Sequence, residues 1–66
     1  MNNNIRVERA KIRISQEELA KKISVSRQTI HAIETGKFVP STITALKLAR
    51  FFGIKLEELF ELETTD

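Results

Sequence analysis

Three adjacent side chains in the stretch SVSRQTIHAIETGKFVP, residues 24–40, can make directional hydrogen bonds from the start of a predicted helix. Arg27 carries a guanidinium fork, Gln28 an amide that donates and accepts, and Thr29 a hydroxyl. Ser26 precedes them and is a residue type that caps helices, so the three groups fall on the first turn. Together these groups can recognise a surface that presents hydrogen-bond donors and acceptors. The alternative is a solvated helix start, which is common in soluble proteins.

The helical repeat fixes where the side chains of residues 27–35 point, because each residue turns the helix by about 100°. Ile30 and Ile33 define the inner side. The residues that point outward or lie at the open first turn have polar or small side chains: Arg27, Gln28, His31, Ala32 and Thr35. A face with hydrogen-bonding groups and no large apolar side chain suits entry into a groove.

The composition argues against a metal centre and against catalysis. The chain has 66 residues, no cysteine and one histidine, so neither a thiolate site nor a disulfide can form and one histidine cannot build a site alone. The sequence predicts no catalytic residue, no metal ligand and no cofactor. It also lacks an apolar run of about 18 residues, the minimum for a membrane span. We expect one cytoplasmic domain over residues 1–66.

The charges are unevenly distributed along the chain. Residues 1–50 hold ten lysines and arginines against four glutamates, a net charge of +6, whereas residues 51–66 have a net charge of −4. A basic body with an acidic tail favours a polyanionic partner for the body. The alternative is an ordinary solvated surface.

Two short helices joined by a tight turn are predicted around the recognition stretch. Ser15 and Glu18 form a capping box at the start of the first, SQEELAKKI. The second begins after Ser26 and runs to about Glu34, with Gly36 as the residue that ends it.

Apolar spacing predicts three further helices and an all-α, compact five-helix bundle. Asn4 is the expected cap of a helix over residues 4–12, and Ser41 caps a helix from Thr42 to Phe52. The segment IKLEELF forms the fifth, and FELETT alternates as a short strand does. The expected apolar face of the fourth helix consists of Ile43, Leu46, Ala49 and Phe52.

The segment SQEELAKKISVSRQTIHAIETGKFVPS resembles the helix-turn-helix signature of the Xre and phage repressor/Cro-like family. The matching positions are Gln16, Ala20, Val25, Ile30, Ile33, Glu34, Gly36 and Lys37. The resemblance implies a lambda-repressor-like DNA-binding domain, with its helix-turn-helix at about residues 16–34, that reads duplex DNA as a dimer. Such proteins are most often transcriptional repressors.

B-DNA's major groove admits one helix, whose leading residues meet the base edges. We therefore expect base contacts from Arg27, which suits guanine, and from Gln28, which suits adenine, while the residue types do not fix which bases are read. Thr29 is expected to touch a thymine methyl or to bond a phosphate, and Ala32 to pack on such a methyl. The resemblance places Gln16 on a phosphate. The full set expected on the DNA backbone is Gln16, Ser26, His31, Thr35 and Lys37. For His31 the alternative is a solvent-facing side chain.

A second pair, Arg9 and Glu34, is expected to be structural. In the family the position of Glu34 often pairs with an arginine of the first helix, and Arg9 occurs where that partner belongs. The sequence departs from the family pattern at Ser24, where glycine in a left-handed turn is usual, at Arg13, often Gly or Asn, and at Lys55, usually a capping residue.

The acidic tail offers a dimer surface, because it holds more apolar residues than one short segment easily buries in its own chain. The expected interface residues are Phe51, Leu56, Leu59, Phe60 and Leu62. The alternative is that they complete the core of the single chain. By the resemblance, a two-fold dimer would carry a small antiparallel sheet made by the chain ends, pairing residues 60–64 with the N-terminus, and would bind an inverted-repeat operator.

Three functional classes follow from these observations. The first is a sequence-specific regulator, a repressor that occupies promoter DNA as a homodimer. The second is an antitoxin or accessory module that binds DNA together with a protein partner. The third, an enzyme, has neither the residues nor the enclosed site that acid–base chemistry requires.

Overall fold

Five helices and two short strands make up the computed structural model, which describes residues 1–66. The elements in chain order are β1 (Asn2–Asn3), α1 (Ile5–Ile12), α2 (Gln16–Ile23), α3 (Arg27–Glu34), α4 (Thr42–Phe52), α5 (Leu56–Leu59) and β2 (Phe60–Glu61). The predicted five-helix fold with a small antiparallel sheet is confirmed. None of the helices is both long and apolar enough to cross a membrane.

Serine side chains set the starting points of α2, α3 and α4. The Oγ atoms of Ser15, Ser26 and Ser41 each accept a hydrogen bond from the backbone N–H three residues later, at 3.0, 3.1 and 3.2 Å. Each bond satisfies one of the N–H groups that a helix start leaves without a partner. At α2 the box is complete, because Glu18 Oε1 accepts from the Ser15 N–H at 3.0 Å. That bond lowers the pKa of the Glu18 carboxyl from its usual value of 4.5.

Four residues with positive φ end helices or follow their ends. Gly36 and Gly53 have φ of 76° and 69°, and Arg13 and Ser24 adopt 56° and 60° although they carry a Cβ. The left-handed conformation costs a non-glycine residue about 1 kcal/mol. The backbone conformations of Arg13 and Ser24 therefore lower the stability of the folded state, and the rest of the fold compensates for this loss.

The asparagines at the start of the chain tie it to α5, and here the predicted cap is wrong. The Asn4 side chain does not cap α1; it donates to the Glu58 carbonyl oxygen at 3.2 Å. Asn3 Oδ1 accepts from the Ile5 N–H instead, also at 3.2 Å. Antiparallel pairing of β1 with β2 holds Asn3 opposite Phe60, so the sheet forms within one chain.

One apolar core collects residues from all five helices. Its eleven buried members are Ile5, Leu19, Ala20, Ile23, Ile30, Ile33, Ala45, Leu48, Ala49, Leu59 and Phe60. Each helix therefore has one side held against the others, and the side chains on its opposite side are presented to solvent.

The predicted apolar face of α4 is corrected by the structure. Ile43 and Leu46 are 68% and 53% exposed, whereas Ala45 and Leu48 are buried with Ala49. The helix carries apolar residues on two sides, so the apolar spacing in the sequence does not distinguish which side is buried. Packing against α2 and α5 buries the side with Ala45 and Leu48.

The prediction for the end of α5 also needs correction. Leu59 is 0% exposed and Phe60 9%, both within the core of the single chain. Leu59 therefore offers no surface to a second subunit, whereas Phe60 also lines a surface depression with Val39 and Leu56.

Candidate nucleic-acid interface

The orientation of α3 is fixed by two isoleucines. Ile30 and Ile33 are 0% and 1% exposed in the core, and Ser26 sets the first residue of the helix as Arg27. Arg27 and Gln28 therefore lie on the first turn with their side chains exposed. This is the arrangement that the sequence predicted for them.

The turn between α2 and α3 is held by backbone hydrogen bonds. Ser24 ends α2 in the left-handed conformation, and the Val25 N–H then donates to the Ala20 carbonyl oxygen at 3.0 Å. Val25 packs against the core, and Ala20 is only 3% exposed. Since both helices also bury apolar residues next to this turn, these contacts fix the angle between α2 and α3.

The outer side of α3 is polar, with the cations free of internal partners. Arg27, Gln28 and His31 are exposed, and Ala32 is half-buried between them and the core. Arg27, and Lys37 in the loop that follows, have no carboxylate oxygen within 4.0 Å. No acidic residue lies in the first turn of α3, so its positive N-terminal end adds to the charge of Arg27.

Beneath this surface, Glu34 is held in a buried network with Arg9. Its carboxylate is 1% exposed and accepts from Arg9 Nε at 2.6 Å and from Arg9 Nη2 at 3.1 Å. Arg9 Nη1 also donates to the Ile14 carbonyl oxygen at 3.0 Å. The two-point pairing locks the end of α3 to α1. The structure thus brings together the two residues that were expected to pair.

Gln16, the first residue of α2, extends the network to the surface. Its Nε2 lies 3.2 Å from Glu34 Oε1 and 3.2 Å from His31 Nδ1. An amide nitrogen only donates, so both of its hydrogens are used and His31 Nδ1 must accept. In the neutral ring the proton is then on Nε2, which leaves His31 a donor for an outside group. Gln16 keeps its backbone N–H and its side-chain oxygen free.

Sequence reasoning missed the bridging role of Gln16, because the bond joins residues of different helices and no local pattern reports it.

The hydroxyl groups near α3 already have partners inside the chain. Ser26 Oγ and Thr29 Oγ1 lie 2.9 Å apart, besides the capping bond from the Thr29 N–H. Thr35 Oγ1 donates to the His31 carbonyl oxygen at 2.9 Å. A phosphate only accepts hydrogen bonds, so Thr35 must rotate its hydroxyl away from the His31 carbonyl oxygen before it can donate to a phosphate. The Ser26 hydroxyl can donate to a phosphate without such a change, because it can at the same time accept a hydrogen bond from the Thr29 hydroxyl.

The structure distributes the expected dimer residues over different places. Besides the buried Leu59 and Phe60, Leu56 is half-buried and lines an apolar depression with Val39 and Pro40. Leu62 is 76% exposed. Phe51 lies elsewhere, in a depression that it shares with Lys22 and Lys47. Sequence reasoning did not include Val39, which is 61% exposed; proline at position 40 holds it extended.

No cluster in the structure has the donors for a metal ion: nowhere do three His, Cys, Asp or Glu side chains lie together in a suitable group. The site is a surface of hydrogen-bond donors, acceptors and cations.

Comparison with known proteins agrees with this surface. The family model HTH_3, described as helix-turn-helix, matches residues 5–59. The chain is 52% identical over 63 residues to a protein of Methanocaldococcus jannaschii named an uncharacterized HTH-type transcriptional regulator, with 96% of each chain covered. It is 44% identical over 63 residues to YgzD of Bacillus subtilis, a protein with the same description and again with 96% of each chain covered.

A third relative is a named phage regulator. The chain is 41% identical over 56 residues to the cryptic phage CTXphi transcriptional repressor RstR from Vibrio cholerae, covering 85% of this chain and 48% of RstR. The matched family segment includes α1 to α5, with the buried network and the exposed side of α3. The chain therefore belongs to the Xre-like helix-turn-helix family of DNA-binding transcriptional regulators.

Proposed function

We propose that this protein is a transcriptional repressor that binds an inverted-repeat operator as a homodimer, with α3 in the major groove. The observation that carries the proposal is the exposed first turn of α3, where Arg27 and Gln28 stand free above the buried Ile30 and Ile33. In this proposal Arg27 pairs with guanine O6 and N7, and Gln28 with adenine N6 and N7.

Two smaller side chains complete the base contacts. The Thr29 hydroxyl lies beside Ser26, so we assign its methyl, together with that of Ala32, to contact with a thymine methyl. Ala32 also permits close approach, because a larger residue at that position would hold the helix away from the bases. These contacts add discrimination at neighbouring base pairs.

Phosphate contacts would set the register of α3 in the groove. We assign them to the free N–H of Gln16 at the start of α2, the Ser26 hydroxyl, the His31 Nε2–H and the Lys37 ammonium, with Thr35 after rotation of its hydroxyl. The Gln16 bond to His31 supports this set, since it orients the donor nitrogen of the ring outward. Arg9 and Glu34 act only by holding α3 in place.

For the homodimer we propose a two-fold contact through Val39, Leu56 and Leu62. All three are apolar and at least partly exposed, and such residues are stabilised by burial against a second copy. A two-fold dimer bound to such an operator would hold the two α3 helices in successive major grooves, about 34 Å apart. The half-sites would then be inverted and one helical turn apart.

The repressor role has support from the name of one relative. RstR, 41% identical over the shared segment, is a phage transcriptional repressor. In this proposal the chain lowers transcription by occupying promoter DNA and excluding polymerase.

The test is selection of bound duplexes from a random-sequence DNA pool at near-physiological salt, followed by sequencing. An inverted repeat with half-sites one turn apart is the expected result. Light scattering of the protein and of its complex with the enriched duplex gives the stoichiometry, expected as two chains per duplex. A folded protein that enriches a single, unrepeated site would refute the dimer, and one that enriches no sequence would refute the operator-reading function.

A further inference from the structure

The side of α4 that faces solvent is apolar and basic. Ile43, Leu46, Lys47 and Arg50 share this side, since they fall within about 100° of one another on the helix. Ile43 and Leu46 are more than half exposed, which leaves two large apolar groups in water. We call these four residues together with Lys22 the α4 outer face.

The cations of the α4 outer face form no ion pair within the chain. Lys22, Lys47 and Arg50 have no carboxylate oxygen within 4.0 Å, and α4 contains no acidic residue. Two shallow depressions meet at Lys47 and Arg50, one reaching Ile43 and Leu46 and the other reaching Lys22 at the end of α2. The apolar and basic groups therefore form one continuous surface.

This surface is separate from the others assigned above. Lys22 lies about 9 Å along α2 from Gln16, at the end of that helix opposite the proposed phosphate contact. None of the α4 outer face lines the depression that contains Val39 and Leu56. The α4 outer face therefore shares no residue with the proposed dimer contact.

We propose that the α4 outer face binds an acidic amphipathic helix of a second protein. Ile43 and Leu46, one turn apart, are apolar anchors, and the three cations beside them complement glutamate or aspartate residues that flank the apolar stripe of such a helix. The regulator would thereby recruit, or be controlled by, a protein partner without using its DNA-reading surface. This inference does not depend on the repressor role or on the two-fold dimer.

Three other occupants fit this surface less well, one because of charge and two because of its apolar residues. A symmetric contact of the α4 outer face with its copy would bring like charges together. A contact with the acidic tail of another copy would meet only one large exposed apolar side chain there, Leu62, and would form an open chain of molecules. DNA would leave Ile43 and Leu46 against a phosphate backbone that offers them no apolar contact.

The experiment titrates the full, isotope-labelled chain with a synthetic peptide of about 18 residues, five helical turns, followed by NMR. The peptide carries leucines at i, i+3, i+4 and i+7 with glutamates on both flanks and alanine elsewhere. A second peptide replaces every glutamate by lysine. Affinities come from fluorescence anisotropy of labelled peptide.

We expect saturable binding of the acidic peptide, amide shifts confined to α4 and the end of α2, and no binding of the basic peptide. Lys47→Glu with Arg50→Glu should weaken the acidic peptide by about tenfold or more and allow the basic peptide to bind. The matched control, Lys11→Glu with Arg13→Glu, makes the same charge change outside this surface and should alter affinity by less than about twofold. Ile43→Ser with Leu46→Ser should abolish binding of both peptides.

Several results would overturn the proposal. These are absence of saturation at about 1 mM acidic peptide, equal binding of the two peptides, or amide shifts on another face. Oligomers larger than a dimer that disappear in Ile43→Ser with Leu46→Ser would show a second copy as the occupant. Weaker binding of random-sequence duplex by Lys47→Gln with Arg50→Gln would show that DNA is the occupant of the α4 outer face. The same neutral variant replaces the charge-reversed variant in the peptide titrations if the charge-reversed protein fails to fold.

Discussion

Replacement of Arg9 by methionine tests the idea that the buried network holds α3 in place. Glu34 has a side chain only 1% exposed and receives two of its three hydrogen bonds from Arg9, with the third from Gln16. In Arg9→Met the carboxylate stays buried with one neutral hydrogen-bond donor, Gln16, and with the Nε of the exposed Arg6 at 4.0 Å. Breaking a buried pair costs about 3–5 kcal/mol when one charge is left without a close partner, and Arg6, 76% exposed and without a hydrogen bond to Glu34, does not replace Arg9.

That cost is a large part of the total stability. Domains have about 0.05–0.15 kcal/mol per residue, so a chain of 66 residues unfolds with roughly 3–10 kcal/mol. In a domain of this size each kcal/mol shifts Tm by about 4–8 °C. We therefore expect Arg9→Met to lower Tm by at least about 12 °C.

The assay is a double-mutant cycle with Glu34→Leu, measured by urea and thermal unfolding at one fixed protein concentration. The double variant should lose less stability than the two single variants together, because it leaves no buried charge. Lys11→Met is the control: it removes an exposed cation paired with Glu8 at 2.9 Å and should change the free energy of unfolding by less than about 0.5 kcal/mol. A loss below about 1 kcal/mol for Arg9→Met, or strict additivity in the cycle, would refute the reasoning.

Three further predictions concern the turn, a helix cap and the DNA surface. Ser24→Gly should raise the free energy of unfolding by a few tenths to about 1 kcal/mol, measured in urea, because φ of 60° suits glycine better than serine. The pKa of Glu18 is lowered by the Ser15 N–H, so its contribution to stability is present above the unfolded value of 4.5 and is lost as the pH falls through the folded pKa; Glu18→Gln should remove this part of the pH dependence of Tm. In DNA-binding titrations, Arg27→Ala should cost about 1–3 kcal/mol on the selected site and relax preference at one base pair, whereas Lys37→Ala should weaken selected and random duplexes alike and reduce the salt slope by about 1.

Each of the three has an outcome that contradicts it. A less stable Ser24→Gly protein would mean that the serine side chain contributes more than its backbone strain costs. If Glu18→Gln and the parent chain lost stability in parallel below pH 4.5, another carboxylate would be responsible. Equal losses on selected and random DNA for Arg27→Ala would remove it from the base-reading group.

Local chemistry made the helix-turn-helix predictable. Ser15 and Ser26 satisfy backbone donors three residues away, and Ile30 and Ile33 define the buried side of α3 by their spacing. These interactions lie within one helical turn, so the residues alone determine them. The exposure of Arg27 follows directly, because it is set by the first residue and the inner side of the same helix.

In α4 and at the N-terminus, the local sequence was compatible with two different arrangements. In α4 both the side with Ile43 and the side with Leu48 are apolar, and only contacts with α2 and α5 decide that Leu48 is buried. At the N-terminus, the side chain of either Asn3 or Asn4 could accept a hydrogen bond from the first turn of α1. Because β1 pairs with β2, Asn3 accepts that bond from the Ile5 N–H, and Asn4 donates instead to the Glu58 carbonyl oxygen of α5. A choice between equivalent local patterns requires the neighbours, which are distant in sequence.

The sequence by itself determined the helices, the serine caps of α2, α3 and α4, the family and the residues that α3 presents, since these depend on hydrogen bonds and periodicity over a few residues. Only the tertiary structure decided that Gln16 joins Glu34 to His31, that Leu59 belongs to the core, and that the outer side of α4 is left free. The physical reason is that burial and cross-helix hydrogen bonds are properties of packed neighbours, and packing is settled for the whole chain at once.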